Sequence, residues 1–189
     1  FTLTESVDKP GANDPATDTQ GTGSNETFEG VRDNRTSGSG PDNSTLTALD
    51  DLQGAGGQDT LNVDVLNLNS GNPIQSSVTL GSIETVNVAS AVGTLTEDVS
   101  TNQFSDVNDF NITQVEAVDV AADAQNLSVS NASGQIDLDG GNDVTVNHDT
   151  AGQAINIGQD TTTGTANPQF ATGSIDVTDT AQGNTTTAI

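Results

Sequence analysis

Short runs in which apolar and polar residues alternate recur through the middle of the chain. The run at residues 61–65 reads Leu-Asn-Val-Asp-Val. Further runs lie at residues 78–80, 86–88, 118–120, 127–129, 136–138, 144–146, 155–157 and 175–177. A period of two in segments rich in Val, Ile and Thr, bounded by Gly, Asn and Asp, predicts β-strands with one buried face. No segment shows a helical stripe, and residues 50–52 predict one short helical turn at most. We therefore predict an all-β fold.

The spacing of these runs favours one β architecture over another. The runs that begin at Val118, Leu127, Ile136 and Val144 are eight or nine residues apart. This interval fits a parallel solenoid of stacked turns, and a sandwich of hairpins is the alternative. Aromatic residues make up only 3% of the chain, which favours the solenoid because stacked Val, Ile and Leu can fill its core.

The chain divides into three segments by composition. We predict an irregular, Gly/Asp-rich, calcium-binding N-terminal segment at residues 1–58, a β-solenoid core at 59–160, and a polar C-terminal segment with one further strand at 161–189. Within the core, residues 83–89 resemble residues 115–121 at an offset of 32 residues. We interpret these as two equivalent turns, separated by an excursion at about 93–111 in which Phe104 and Phe110 cap or flank the core. The predicted fold is a short parallel β-solenoid or β-roll-like domain.

The charge balance limits the partners of the chain. There are 27 acidic and 3 basic residues, for a net charge of -24, and no Lys or Arg follows Arg35. A folded chain with this charge repels itself, so bound cations or high salt must neutralise it. Nucleic-acid binding needs basic clusters or aromatic stacking platforms, and both are missing. We expect neither nucleic acid nor a membrane as partner, because no apolar run is long enough to span a bilayer.

The sharpest motif is Gly54-Ala55-Gly56-Gly57-Gln58-Asp59-Thr60-Leu61-Asn62. It fits the calcium-binding nonapeptide G-G-x-G-x-D-x-U-x with Ala55 in place of one glycine. Glycines expose backbone carbonyls, the aspartate supplies a carboxylate, and calcium takes six to eight such oxygens. We predict Gly54, Gly57 and Asp59 as calcium ligands.

Two other acidic turns are candidate calcium sites. Residues 21–28 repeat the motif in the same phase, with Glu26 in the aspartate position beside Asn25. In the second turn, residues 137–143, strand alternation places Asp137 and Asp139 on one outward face, and the Gly-Gly turn brings Asp143 beside them. Three carboxylates without a nearby cation repel one another unless a cation bridges them. The alternative for each turn is a solvated acidic loop.

Residues 1–4 (Phe-Thr-Leu-Thr), 21–28, 45–63 and 83–88, in this order, resemble modules of secreted calcium-dependent RTX-type proteins. Such modules occur in bacterial surface-layer proteins and large adhesins, and the resemblance covers about residues 1–160. It implies type I secretion, calcium-stabilised β-rolls and assembly outside the cell. Glu26 and Ala55 depart from the motif, which favours an irregular solenoid with a few sites over a regular β-roll.

An enzyme is not expected. His148 is the sole histidine, and we interpret it as a surface or turn residue. Zinc sites prefer several His or Cys ligands, and a lyase mechanism would need basic residues that the chain lacks after Arg35. Glycoside hydrolysis needs only two carboxylates, so a carbohydrate-active enzyme stays an alternative.

The sequence favours a non-enzymatic extracellular structural protein that self-assembles with calcium into a surface layer or matrix filament, as a homo-oligomer or homopolymer. Residues 1–4 and 174–178 are strand-like tails that could add to a neighbour's sheet edge or finish their own domain. The alternatives are a monomeric spacer or ligand-binding module of a large cell-surface adhesin, with surface polysaccharide as a partner, and an acidic domain adapted to high salt.

Overall fold

The structure is a computed structural model that describes residues 1–6, 8–9, 20–34, 43–68, 72–90, 93–113, 116–158, 170–180, 183 and 185–188. Within these residues the chain forms fourteen β-strands and one 3-10 helix. The strands are β1 (Thr27–Asn34), β2 (Asp51–Gln53), β3 (Thr60–Leu68), β4 (Thr79–Gly81), β5 (Thr85–Ser90), β6 (Thr94–Asp98), β7 (Asp109–Thr113), β8 (Ala117–Ala122), β9 (Asn126–Ala132), β10 (Ile136–Gly140), β11 (Val144–His148), β12 (Ala154–Ile157), β13 (Ile175–Asp179) and β14 (Thr185–Ala188), and the helix is η1 (Asn102–Phe104). The prediction of an all-β fold is confirmed.

Strands alternate along the chain between sheets, and every pair of neighbouring strands is parallel. The odd-numbered strands form a seven-stranded major sheet in the order β1-β3-β5-β7-β9-β11-β13. The even-numbered strands form a five-stranded minor sheet, β14-β12-β10-β8-β6, and a two-stranded sheet, β2-β4. The runs that begin eight or nine residues apart therefore belong to alternate sheets, and a residue meets its partner in the same sheet about two runs later. Val144, for example, pairs with Leu127, seventeen residues earlier.

The core is built from inward-facing rows that cross the major sheet from strand to strand. One row, defined by the register of the parallel pairs, consists of Phe28, Leu61, Val86, Phe110, Leu127 and Val144. All six side chains are buried, and burial of each contributes roughly 1.5–3 kcal/mol. The row spans the predicted boundary between residues 58 and 59 without interruption, because β1 pairs with β3.

The interpretation of residues 83–89 and 115–121 as equivalent turns is wrong. The first segment enters β5 in the major sheet, whereas the second enters β8 in the minor sheet. Both segments alternate in the same way because both sheets bury one face, so the pattern carries no information about which sheet a strand joins. Asp51 and Leu52 lie in strand β2 rather than in a helical turn.

Phe104 and Phe110 lie inside the core rather than capping it. Both are buried, and their rings meet edge to face with centroids 6.0 Å apart. The segment at 93–111 is also no excursion, since it supplies β6 to the minor sheet and the start of β7 to the major sheet.

A ladder of polar side chains follows the outer face of the major sheet. The Asn62 amide donates to Glu29, the Asn87 amide donates to Asn62 and the Asn111 amide donates to Asn87, at 2.8 to 2.9 Å. Side-chain amides thus provide donors to a carboxylate on a face where few cations are present. The ladder also fixes the register between four successive strands.

Candidate functional site

Three carboxylates occupy equivalent positions on successive strands of the major sheet. Glu26, Asp59 and Glu84 each immediately precede a strand, and the residues that follow them pair in the order Thr27, Thr60 and Thr85. The parallel register therefore stacks the three residues above one another at one edge of the sheet. We call this cluster, with the glycine turn that precedes Asp59, the Asp59 turn stack.

Hydrogen bonds between successive turns tie the stack together. The backbone N–H of Glu26 donates to Asp59 Oδ1 at 2.6 Å, and the backbone N–H of Asp59 donates to Glu84 Oε2 at 2.7 Å. The carboxylates of Asp59 and Glu84 thus each bind the main chain of the turn before their own. Glu26 Oε2 accepts the backbone N–H of Thr22 in its own turn at 3.0 Å.

Gly54 lets two oxygens approach the backbone of this turn. A Cβ at Gly54 would lie 2.0 Å from the carbonyl oxygen of Ser82 and 2.4 Å from Asp59 Oδ2. A Cβ at Gly21 would lie 2.1 Å from the carbonyl oxygen of Gly54 and 2.8 Å from Glu26 Oε2. The glycines therefore leave a narrow cradle lined by oxygens of three successive turns: those of Ser82 and Asp59 beside Gly54, and those of Gly54 and Glu26 beside Gly21.

The second oxygen of Asp59 has no hydrogen-bond partner among the described residues. Asp59 is fully buried, and its Oδ2 atom is buried and unsatisfied. Burial raises the pKa of Asp59, against the opposing hydrogen bond from the Glu26 backbone, and the neighbouring charges of Glu26 and Glu84 raise it further. A buried carboxylate oxygen without a partner is costly, so this position favours a proton or a cation.

The carboxylates of the Asp59 turn stack can hold a hard cation only together with backbone carbonyl oxygens. Within the described ranges, no group of three or more His, Cys, Asp or Glu side chains has the spacing of a metal site. Asp59 Oδ2 and Glu26 Oε2 would therefore act with the carbonyl oxygens of Gly54 and Ser82. Mixed sets of carboxylate and carbonyl oxygens are what calcium accepts, and its coordination geometry is flexible.

The other predicted ligands of this motif lie at the rim of the stack. Asn25 accepts the backbone N–H of Gln58 through Oδ1 at 3.0 Å. Gly57 has φ +129°, and a Cβ there would lie 2.4 Å from the carbonyl oxygen of Ser24. Both residues therefore lock the turn at 54–59 against the turn at 21–26, and their contacts hold the turns rather than point oxygens into the cradle.

The structure does not bring Asp137, Asp139 and Asp143 together as a metal-ligating group. Asp137 and Asp139 lie on the outward side of β10 in the minor sheet, as predicted, whereas Asp143 precedes β11 in the major sheet. Asp143 Oδ1 accepts both the backbone N–H and the hydroxyl of Ser174 at 2.7 Å, and these bonds hold its pKa below the ordinary value. Asp137 accepts side-chain amides of Gln135 and Asn156.

Glu84 is a member of the stack that the motif did not predict as a ligand. A shared signal was present in the sequence, because Glu26, Asp59 and Glu84 are each followed by Thr and then by a large apolar residue. The acidic residue ends the turn, the threonine faces outward and the apolar residue enters the core row. This three-residue pattern would have found the stack without the glycines.

Two buried ionisable residues lie away from the stack. His148 is inward-facing on β11 and buried, with Nδ1 3.9 Å from Asp179 Oδ1, so the interpretation as a surface or turn residue is wrong. Glu97 faces inward on β6, and burial raises its pKa to about 8. Its carboxylate accepts the Asn72 amide at 2.9 Å and the backbone N–H of Ile74 at 3.1 Å.

Comparisons with protein families, with curated proteins and with solved structures gave no match to this chain. None of the helical structure in the described residues is long and apolar enough to cross a bilayer.

Proposed function

We propose that this chain is a short β-solenoid that serves as a non-enzymatic extracellular structural protein, and that it binds calcium at the Asp59 turn stack and self-assembles into a surface layer or matrix filament. The observation that carries the proposal is the buried, unpartnered Asp59 Oδ2 in a glycine-lined cradle beside Glu26. Alternation of parallel strands between facing sheets supports the solenoid, since a stacked parallel chain needs this connectivity.

A cation in the cradle would have three effects. It would satisfy Asp59 Oδ2, reduce the repulsion of Glu26 and Glu84 for Asp59, and hold the turn at 54–59 against its neighbours. Calcium suits this role better than magnesium, because magnesium demands octahedral geometry and retains its waters. The large negative charge supports an extracellular location, where calcium modules work with dissociation constants of about 10⁻⁴–10⁻³ M.

Calcium also supports the assembly part of the proposal. Over a chain with a net charge of -24, contact between copies brings like charges together, and a divalent cation lowers this repulsion. The same cation could also serve a monomeric spacer or ligand-binding module of a cell-surface adhesin, with surface polysaccharide as its ligand. The mass of the calcium-loaded protein separates these two functions.

Thermal unfolding tests calcium binding at the cradle. At a calcium concentration of about 100 times the dissociation constant, we expect a stabilisation of about 2.7 kcal/mol, or a rise in Tm of roughly 5–10 °C. Asp59→Asn retains an oxygen for the Glu26 N–H but removes the charge, so calcium should no longer raise Tm. Asp64→Asn, an exposed outward change on β3, is the matched control and should respond like the wild type.

Static light scattering on the same samples tests assembly, with EGTA, magnesium and sodium as controls. Growth of high-mass species with calcium alone supports the structural polymer. Calcium stabilisation of a protein that stays monomeric would support the adhesin module instead. If sodium at equal ionic strength stabilises the wild type as well as calcium does, the calcium site is refuted and the acidity is an adaptation to salt.

A further inference from the structure

The two ends of the major sheet differ from its middle in the exposure of one apolar row. The row of Phe28, Leu61, Val86, Phe110, Leu127 and Val144 continues to Ile175 on β13, which pairs with Val144. At the opposite end, Phe1 stacks on Phe28 with ring centroids 5.0 Å apart and an interplanar angle of 12°. Phe1 is 42% exposed and Ile175 is 38% exposed, whereas the six residues between them are buried.

Backbone hydrogen bonds make the segment at residues 1–3 an additional parallel strand on the outer edge of β1. The Leu3 N–H donates to the Glu29 carbonyl at 2.9 Å, the Glu29 N–H donates to the Phe1 carbonyl at 2.8 Å, and Thr2 forms a parallel bridge with Glu29. In this arrangement residues 1–3 extend their own major sheet. Among the described residues, the outer edge of residues 1–3 lies at one end of that sheet and β13 lies at the other.

We propose that copies of this chain stack head to tail, so that the outer edge of β13 in one copy pairs in parallel with residues 1–3 of the next. This inference rests on the proposed self-assembly and names its interface. Both edges belong to one sheet in which all strands run the same way, so the joint repeats the pairing already present between neighbouring strands. It places exposed Ile175 against exposed Phe1 and makes the apolar row continuous across copies.

Such a contact is heterologous, because the two surfaces that meet are different, and repetition of it extends an open filament. Unpaired strand edges are normally protected against this pairing. At the β6 end of the minor sheet, Glu97 faces inward and its carboxylate accepts the backbone N–H of Ile74. The strand β13 turns Ile175, Val177 and Asp179 inward. Asp179 lies 3.9 Å from the buried His148, beyond the residues that the joint would pair, so the joint itself meets only Ile175 and Val177 on this face.

Disulfide trapping tests the joint directly, because the native chain has no cysteine. Thr2 and Asp176 lie at opposite ends of one outward row, which runs through Glu29, Asn62, Asn87, Asn111, Ser128 and Thr145. Seven strand spacings of about 4.8 Å separate them within one copy, roughly 34 Å. In the proposed joint they lie directly opposite each other between copies, at a separation that a disulfide can bridge.

The double variant Thr2→Cys/Asp176→Cys should therefore give a ladder of dimers and higher oligomers on a non-reducing gel after mild oxidation in calcium. The matched control, Thr2→Cys/Thr145→Cys, keeps one cysteine and moves the other one strand inward along the same row. This control variant should give no ladder of oligomers. Equal cross-linking in both variants would mean random collision and would overturn the proposed joint.

A single substitution gives a second, non-covalent test. Ile175→Asp places a charge in the joint at a side chain that is already partly exposed, so the fold should survive and high-mass scattering should be lost. Thr178→Asp, an exposed position on the same strand, adds the same charge outside the row and should leave assembly intact. If the wild type assembles with calcium but Ile175→Asp does so equally, the joint is wrong and the proposed function stands. If the wild type itself stays monomeric and the cysteine pair gives no ladder, both the joint and the proposed assembly are wrong.

Discussion

Replacing Glu97 by glutamine should remove a pH dependence from the stability of this chain. Glu97 is 3% exposed, inside strand β6, and its carboxylate accepts the Asn72 amide and the Ile74 N–H. Burial raises its pKa from 4.5 to about 8, with a further contribution from the charge of Asp98. The folded state therefore holds a proton that the unfolded chain releases at a much lower pH.

The sign and size of the effect follow from this difference. Between pH 4.5 and pH 8 the folded chain binds more protons than the unfolded chain, so the free energy of unfolding falls as pH rises. The contribution of Glu97 is complete below pH 4.5 and is lost by pH 8. Because one pKa unit corresponds to about 1.4 kcal/mol, the loss between pH 5 and pH 7 is about 3 kcal/mol.

Urea unfolding at a series of pH values, in EDTA and at constant high salt, measures this loss. The difference in unfolding free energy between Glu97→Gln and the wild type cancels the other titrating groups. It should increase by about 3 kcal/mol in favour of the variant from pH 5 to pH 7. Glu116→Gln removes an exposed carboxylate and should leave the pH profile unchanged. Parallel profiles for Glu97→Gln and the wild type would refute the argument.

Two core and turn substitutions test the packing. Gly54→Ala should destabilise the chain by about 3 kcal/mol or more in urea unfolding, because its Cβ would lie 2.0 Å from the Ser82 carbonyl oxygen, whereas Gly23→Ala, with no atom within 4 Å, should be nearly neutral. Phe110→Ala should cost about 3–5 kcal/mol in the same assay, because Phe110 is fully buried against Phe104, and Leu66→Ala, at an exposed side chain, should cost far less. Equal effects of Phe110→Ala and Leu66→Ala would contradict the register of the core row.

Much of the strand content could be predicted because alternation reports which side chains are buried. The run at 61–65 falls within β3, and the run at 144–146 opens β11. Alternation cannot tell which sheet a strand joins, since both sheets bury one face. This is why residues 83–89 and 115–121 look equivalent but enter different sheets. The sheet that a strand joins depends on the turns between strands, whose geometry a two-residue period does not report.

Long-range polar contacts account for most of what the sequence did not predict. In the sequence Glu97 looks like one more polar residue of a strand, yet it faces inward, where its carboxylate accepts the Ile74 N–H. Glu84 joins the Asp59 turn stack through a hydrogen bond to a residue 25 positions away. These pairings arise from the parallel register, which the local sequence does not reveal.

The acidic residues divide into two groups once their partners are known. From the sequence, the excess of carboxylates predicts bound cations or high salt. Many of them instead accept hydrogen bonds from neutral donors: Asp143 from Ser174, Asp137 from Asn156, and Glu29 from Asn62. Abundant Asn, Ser and Thr can therefore satisfy exposed carboxylates without metal.

Asp59 differs because it is fully buried and one of its oxygens has no donor in the described part of the chain. Charge alone thus gives little reason to assign calcium to the outer faces of the sheets, and the argument for a specific ion is confined to the Asp59 turn stack.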